Sequence, residues 1–156
     1  MKMNKDAKQI TVKDIMSKSV ISVDASMTIN EAAKMMDQRN IGCIIVTKDN
    51  SPIGIVTERD FVKRVAANET PLSLSIDKVM SSPLIAIGPD ESVWMISDLM
   101  YSRKVRKLPV IDNEQVIGIV TATDLVNQLA VSTQEDIQKM FHESVIKVYK
   151  QYSPYN

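Results

Sequence analysis

The chain repeats itself, and that repetition constrains its fold more than any other feature. Shifted by 64 residues, segment 13–61 lies over 77–125 without a gap, and twelve of the 49 paired positions are identical. Five of the twelve are consecutive: Ile53-Gly54-Ile55-Val56-Thr57 over Ile117-Gly118-Ile119-Val120-Thr121. Asp60 falls on Asp124, Met16 on Met80, Ser17 on Ser81 and Arg39 on Arg103. Chance identities scatter, whereas these gather around a glycine, a threonine and an aspartate, so the chain is a tandem duplication. The copies occupy about 10–66 and 76–130, joined by a polar linker over 67–75 and followed by an extension over 131–156.

Each copy reads as β-α-β-β-α after a short helical turn, which makes the chain α+β. The turns fall at Lys13 to Ser17 and Asp77 to Ser81, and brief apolar strands follow at Val20 to Val23 and Leu84 to Ile87. Thr28 and Glu31 have the spacing of a capping box, and Pro89-Asp90-Glu91 puts proline and acids where a first helical turn accepts them. Ile29, Ala32, Ala33 and Met36, and likewise Val93, Ile96, Leu99 and Met100, then recur at helical spacing. Two strands follow in each copy, Cys43 to Thr47 with Ile53 to Thr57 and Lys107 to Ile111 with Val116 to Thr121. Their turns are rich in Asp and Asn, which tolerate left-handed backbone. Final helices start near Glu58 and Ala122. One copy is too small to cover both faces of its sheet, so the two are expected to pair sheet against sheet under pseudo-twofold symmetry.

Composition removes several classes of function. Nineteen basic and nineteen acidic residues give a formal charge of zero, which takes away the electrostatic drive for unaided nucleic-acid binding. Cys43 is alone and flanked by apolar residues, so no intrachain disulfide forms and core packing is its expected role. Met1 to Gln9 is polar and lysine-rich, unlike a signal peptide, and no run approaches the roughly 20 apolar residues of a membrane helix. A cytoplasmic protein is expected. With one histidine, His142, the chain has no Ser-His-Asp set, P-loop, Gly-rich Rossmann fingerprint or Cys/His metal cluster, and no catalytic activity is expected.

The most informative string is Gly-x-x-Thr-x-x-Asp, present as Gly54, Thr57, Asp60 and as Gly118, Thr121, Asp124. It lies where a strand gives way to a helix. The glycine lets the backbone approach a ligand closely. The threonine stands at the N-cap, where its hydroxyl serves a helix amide or a ligand. The aspartate, three residues on, has the geometry to accept two hydrogen bonds from a vicinal diol such as the ribose 2′- and 3′-hydroxyls, as acidic residues do in dinucleotide folds. Thr-x-x-Asp is also an ordinary capping arrangement, but its recurrence inside a duplication favours a binding role.

With Asp14-Ile15-Met16-Ser17, Ile53 to Asp60 and Lys107-Leu108-Pro109-Val110-Ile111-Asp112 in view, the chain resembles the CBS domain family over residues 10–130. The resemblance implies a tandem module that binds AMP, ADP, ATP, S-adenosylmethionine or related ligands. It implies that Asp60 and Asp124 hold ribose hydroxyls, assisted by Thr57 and Thr121, with Ser17 and Ser81 near the adenosine. Strands Val20 to Val23 and Leu84 to Ile87 would floor the base. Phosphate recognition falls to Arg106 and Lys107, before the Leu108-Pro109-Val110 strand. Their partners under the shift, Gly42 and Cys43, carry no charge, so two unequal sites are expected. Arg39, Arg59, Lys63 and Arg64 are weaker candidates. The first copy departs from the pattern in having Ile44-Ile45-Val46, without the proline.

Trp94, opposite Asn30, suits helix-face packing or a dimer contact better than base stacking. In the extension, Ser132-Thr133-Gln134-Glu135 has a helix start, and Ile137, Phe141, Val145 and Val148 form an apolar stripe. The stripe serves either packing on its own chain or docking of a second copy or partner. The reading is a regulatory sensor, expected as a homodimer. Its rivals are a nucleic-acid-associated regulator and a scaffold with a different ligand or none.

Overall fold

The computed structural model describes residues 10–132 together with 134, 137, 138 and 141. It divides into two compact units. One takes Lys18–Ala86 with Ile111–Gly118, and the other takes the chain up to Ser17, Ile87–Val110 and the chain from Ile119 on. They are named here for the aspartate each carries, Asp60 and Asp124.

The Asp60 unit holds β1 (Ser22–Asp24), α2 (Ile29–Arg39), β2 (Cys43–Lys48), β3 (Ser51–Thr57) and α3 (Glu58–Asp60). The sheet order is β1-β2-β3. β1 runs parallel to β2, with Val23 beside Val46, and β2 runs antiparallel to β3, with Ile44 beside Val56. The β2–β3 turn is tight: Asp49 and Asn50 adopt φ of 51° and 63°, the left-handed pair that the twist of a two-residue hairpin demands. After α3 the helix widens over Phe61–Ala66, and Ala67 N–H reaches back five residues to Val62 O. Ile29, Ala32 and Met36 form one buried face of α2 and share a core with Ile44, Val46, Val56, Val65, Ile76 and Val79.

The start of α2 leaves no amide of its first turn wanting. Thr28 is the N-cap: its Oγ1 accepts from Glu31 N–H at 3.2 Å, and the Glu31 carboxylate accepts from Thr28 N–H at 2.9 Å. The linker supplies the rest, since Leu74 O and Leu72 O accept from Ile29 and Asn30 N–H at 2.9 and 3.0 Å. The hydroxyl and amide of Thr28 hold the Glu31 carboxyl below its ordinary value, and those of Ser26 do the same for Asp24.

The Asp124 unit holds α1 (Val12–Ile15), α4 (Val93–Arg103), the start of β4 (Lys107–Asp112), the end of β5 (Gln115–Thr121) and α5 (Ala122–Val131). β4 and β5 pair through a second left-handed turn at Asn113 and Glu114, φ 48° and 66°. Val12, Val93, Ile96, Met100, Leu108, Val110, Ile119 and Val120 are buried. Two sequence expectations shift here. Helix α4 begins at Val93 behind a Ser92 cap, whose Oγ accepts from Met95 N–H at 3.2 Å, and not at Pro89. Pro89 and Glu91 turn outward from that helix, and their carbonyls accept from Lys13 and Val12 N–H, each at 2.9 Å. The strand expected at Leu84 to Ile87 shrinks to Ile87, which lies parallel to Val110 and donates to Pro109 O at 3.0 Å. Pro83, which has no N–H, precedes it and Gly88-Pro89 ends it.

The two units exchange the segments that lead into the repeats. Ser75 of the second repeat pairs with Thr28 of the first, and Thr11 of the first pairs with Ser92 of the second. Ile76 N–H donates to Met27 O at 2.7 Å, and its counterpart Val12 N–H donates to Glu91 O at 2.9 Å. Each repeat body thus receives the lead-in of the other, although the hairpin end Ile111–Gly118 of the second body belongs to the Asp60 unit.

In the extension, Gln134, Ile137, Gln138 and Phe141 are helical. The Phe141 ring meets Trp94 edge to face, centroids 6.2 Å apart at 88°. At this residue the stripe packs on its own chain, which is one of the two roles expected for Trp94. Val145, Val148, His142, residues 1–9 and residues 149–156 lie outside the described residues. Among the described residues, no helix is long and apolar enough to cross a membrane.

Candidate functional site

The Gly-x-x-Thr-x-x-Asp strings form two strand-to-helix turns of the same construction. Thr57 ends β3 and caps α3, and Thr121 ends β5 and caps α5, both with extended backbone. In each, one carboxylate oxygen of the aspartate is anchored by the threonine. Asp60 Oδ2 accepts from Thr57 N–H at 2.8 Å and from its hydroxyl at 2.9 Å. Asp124 Oδ2 accepts from Thr121 N–H and hydroxyl, both at 2.7 Å. The carboxylate is thus fixed in orientation, and its other oxygen, Oδ1, is left to other partners.

The turns are braced alike from behind. Gly42 O accepts from Glu58 N–H at 3.3 Å, and Arg106 O accepts from Ala122 N–H at 2.9 Å. The serines after the repeated methionine arrive on the strand leading to each turn. Ser81 exchanges backbone hydrogen bonds with Ile55, and Ser17 does so with Ile119. The site residues therefore group as Gly54, Thr57, Asp60 and Ser81 in one unit, and as Ser17, Thr121, Asp124, Arg106 and Lys107 in the other. Gly118 lies at the unit boundary in β5. Arg106 is exposed and Lys107 half-buried, on the same unit as Asp124.

Gly54 has a packing reason to be glycine. Its φ is not left-handed. A Cβ there would stand 2.5 Å from Met80 Sδ and 2.9 Å from Ser81 O. The close approach that glycine permits is made by the lead-in of the other repeat.

The Oδ1 atoms distinguish the sites. Asp60 is 8% exposed, and its Oδ1 meets Arg64 Nε and Ser81 Oγ, each at 3.4 Å. The Arg64 guanidinium also donates to Val79 O, at 3.1 Å, and to Met80 O. Arg64, a weaker phosphate candidate in the sequence, is thus committed to a carboxylate and two carbonyls. The sequence did carry a signal for this, because an acid and a base at i and i+4 meet on a helix. The residue in Arg64's place after Asp124 is Gln128, whose amide donates to Ser132 Oγ at 3.2 Å. Asp124 is half-buried, and among the described residues its Oδ1 accepts no hydrogen bond. Arg39, Arg59 and Lys63 are exposed. No group of three metal-ligating side chains occurs among the described residues.

Known proteins share this fold. The family model described as the CBS domain matches residues 12–67 and again 76–131. The CBS domain-containing protein YhcV of Bacillus subtilis is 36% identical over 121 residues, 77% of this chain and 86% of that protein. A protein with CBS domains from Burkholderia ambifaria superimposes with a TM-score of 0.74 at 26% identity, over 80% of this chain and 97% of that one. The CBS domain pair of protein MJ0100, in complex with 5′-methylthioadenosine and S-adenosyl-L-methionine, superimposes with a TM-score of 0.71 at 30% identity, over 79% of this chain and 98% of that one. Two family matches in tandem, on a repeat whose turns and lead-ins are built alike, make this chain a member of the CBS domain family.

Proposed function

We propose that this protein is a non-catalytic regulatory module that binds an adenosine-containing ligand, AMP, ADP, ATP or S-adenosylmethionine, at the strand-to-helix turn that carries Asp124. The observation that carries the reading is Asp124: one oxygen is pinned by Thr121, and the other, which accepts no hydrogen bond among the described residues, is placed to take a vicinal diol. A cap needs one carboxylate oxygen, so the second is spare. The MJ0100 pair, with its two adenosine compounds, supports the choice of ligand class. Arg106 and Lys107 share a unit with Asp124, and their charge favours phosphate-bearing ligands there. Ser17, joined through its backbone to Ile119 on the strand that leads to that turn, would lie near the adenosine. The ligand biases an interface with a second copy, for which α4 and α5 offer the exposed Tyr101, Val126 and Leu129.

Calorimetric titration with the four ligands, repeated with Asp124→Ala, tests this. Saturable binding that falls at least tenfold in the variant supports it. No heat from any of the four overturns it.

A further inference from the structure

The repeats place different residues one turn beyond their equivalent aspartates, and the difference decides whether the carboxylate is available. A diol needs the outward carboxylate oxygen. At Asp124 that oxygen has no donor among the described residues, and Gln128, the side chain in position to supply one, bonds Ser132 instead. At Asp60 the oxygen faces the Arg64 guanidinium and the Ser81 hydroxyl.

Arg64 is not a loose counter-ion that a ligand brushes aside. Two carbonyls of the incoming lead-in, those of Val79 and Met80, hold the same guanidinium. Displacing it would break a charge-assisted contact and strand two carbonyl oxygens. We propose that Arg64 is an internal latch that closes the Asp60 turn, so that the protein takes adenosine ligand at Asp124 alone. This rests on the adenosine-binding reading above and adds to it a stoichiometry and a residue that sets it. Arg64 acts as a positioning residue: it ties the carboxylate to the Val79–Met80 backbone and fills the place of the diol.

The test counts sites. Calorimetry with AMP and with S-adenosylmethionine is run on the full chain and on Asp124→Asn, Arg64→Gln and Arg64→Gln/Asp60→Asn, with a thermal melt on each. Arg64→Gln puts into the first repeat the residue that the second already has. The expected result is one equivalent bound by the natural chain and none by Asp124→Asn. Two equivalents are expected for Arg64→Gln, with the second lost again in the double variant. A merely structural Arg64 would lower the melt without adding a site. Two equivalents on the natural chain, or one on a folded Arg64→Gln, overturns the latch and leaves adenosine binding standing. If Arg64→Gln does not fold, a full equivalent retained by Asp124→Asn overturns it instead. No heat from the natural chain or Arg64→Gln overturns both readings.

Discussion

Ser81 and Ile55 exchange both of their backbone hydrogen bonds, at 2.8 and 3.1 Å, although one belongs to each repeat. This single rung sets Met80 against Gly54 and brings the Ser81 hydroxyl to Asp60. The same exchange between Ser17 and Ile119, both bonds at 2.9 Å, serves the Thr121–Asp124 turn. The site chemistry therefore depends on how closely the lead-in sits on the strand.

Gly54→Ala should separate the two. Its methyl would collide with Met80 Sδ and Ser81 O, and the backbone oxygen cannot swing away as a side-chain end does. A loss of about 1–3 kcal/mol, the usual cost of overpacking, is expected in urea denaturation. A midpoint equal to that of the natural chain would show that the lead-in yields freely.

Thr28→Ala removes the cap of α2, and a loss of about 1 kcal/mol in the same measurement is expected. The pH dependence follows from Glu31. Its carboxyl is lower in the folded protein than in the unfolded chain, because the Thr28 hydroxyl and amide favour the charged form. That stabilisation is complete above the ordinary glutamate range and is lost as pH falls through the lowered folded value. Glu31→Gln should therefore flatten the acid side of the stability curve while leaving its neutral slope unchanged. Melts from neutral pH downward would show it.

Arg106→Ala should divide the ligands by charge. A lost guanidinium–phosphate contact is worth on the order of 1.5–3 kcal/mol, or about tenfold or more in Kd. AMP, ADP and ATP should weaken by that factor, while S-adenosylmethionine, which has no phosphate, should not. Equal effects on all four in calorimetry would place Arg106 away from the phosphates.

Phe141→Ala should report through Trp94, the chain's sole tryptophan. Its indole is 45% exposed even with Phe141 against it, so removing the ring should shift its emission to the red. The stability cost should be about 1 kcal/mol or less, since both rings remain partly in water. An unchanged spectrum would mean that the ring contact is not kept in solution.

What could be read from the sequence was what neighbouring residues decide between them. The Thr28–Glu31 box, the left-handed Asp49-Asn50 turn and the threonine caps of α3 and α5 are all local, and all stand where spacing placed them. Pro89-Asp90-Glu91 carried a helix-start signal but serves a turn, because its carbonyls are claimed by Val12 and Lys13 from far along the chain. The carbonyl contacts of Arg64, unlike its pairing with Asp60 four residues before it, escaped for a different reason. Arg64 lies just past the aligned segment, where the repeats diverge, and its carbonyl partners at Val79 and Met80 belong to the next repeat's lead-in. Nothing in a local pattern announces such a pairing.

The exchange of lead-ins also bears on ancestry. A lone repeat of this kind would carry a body without its lead-in partner and a lead-in without a body. Two identical copies meeting would satisfy both wants at once, each lending its first segment to the other, as in a domain swap. Fusion of two such copies would keep every one of those contacts and free each to change its sequence. A difference as small as Arg64 against Gln128 is open only to a chain whose halves are encoded separately.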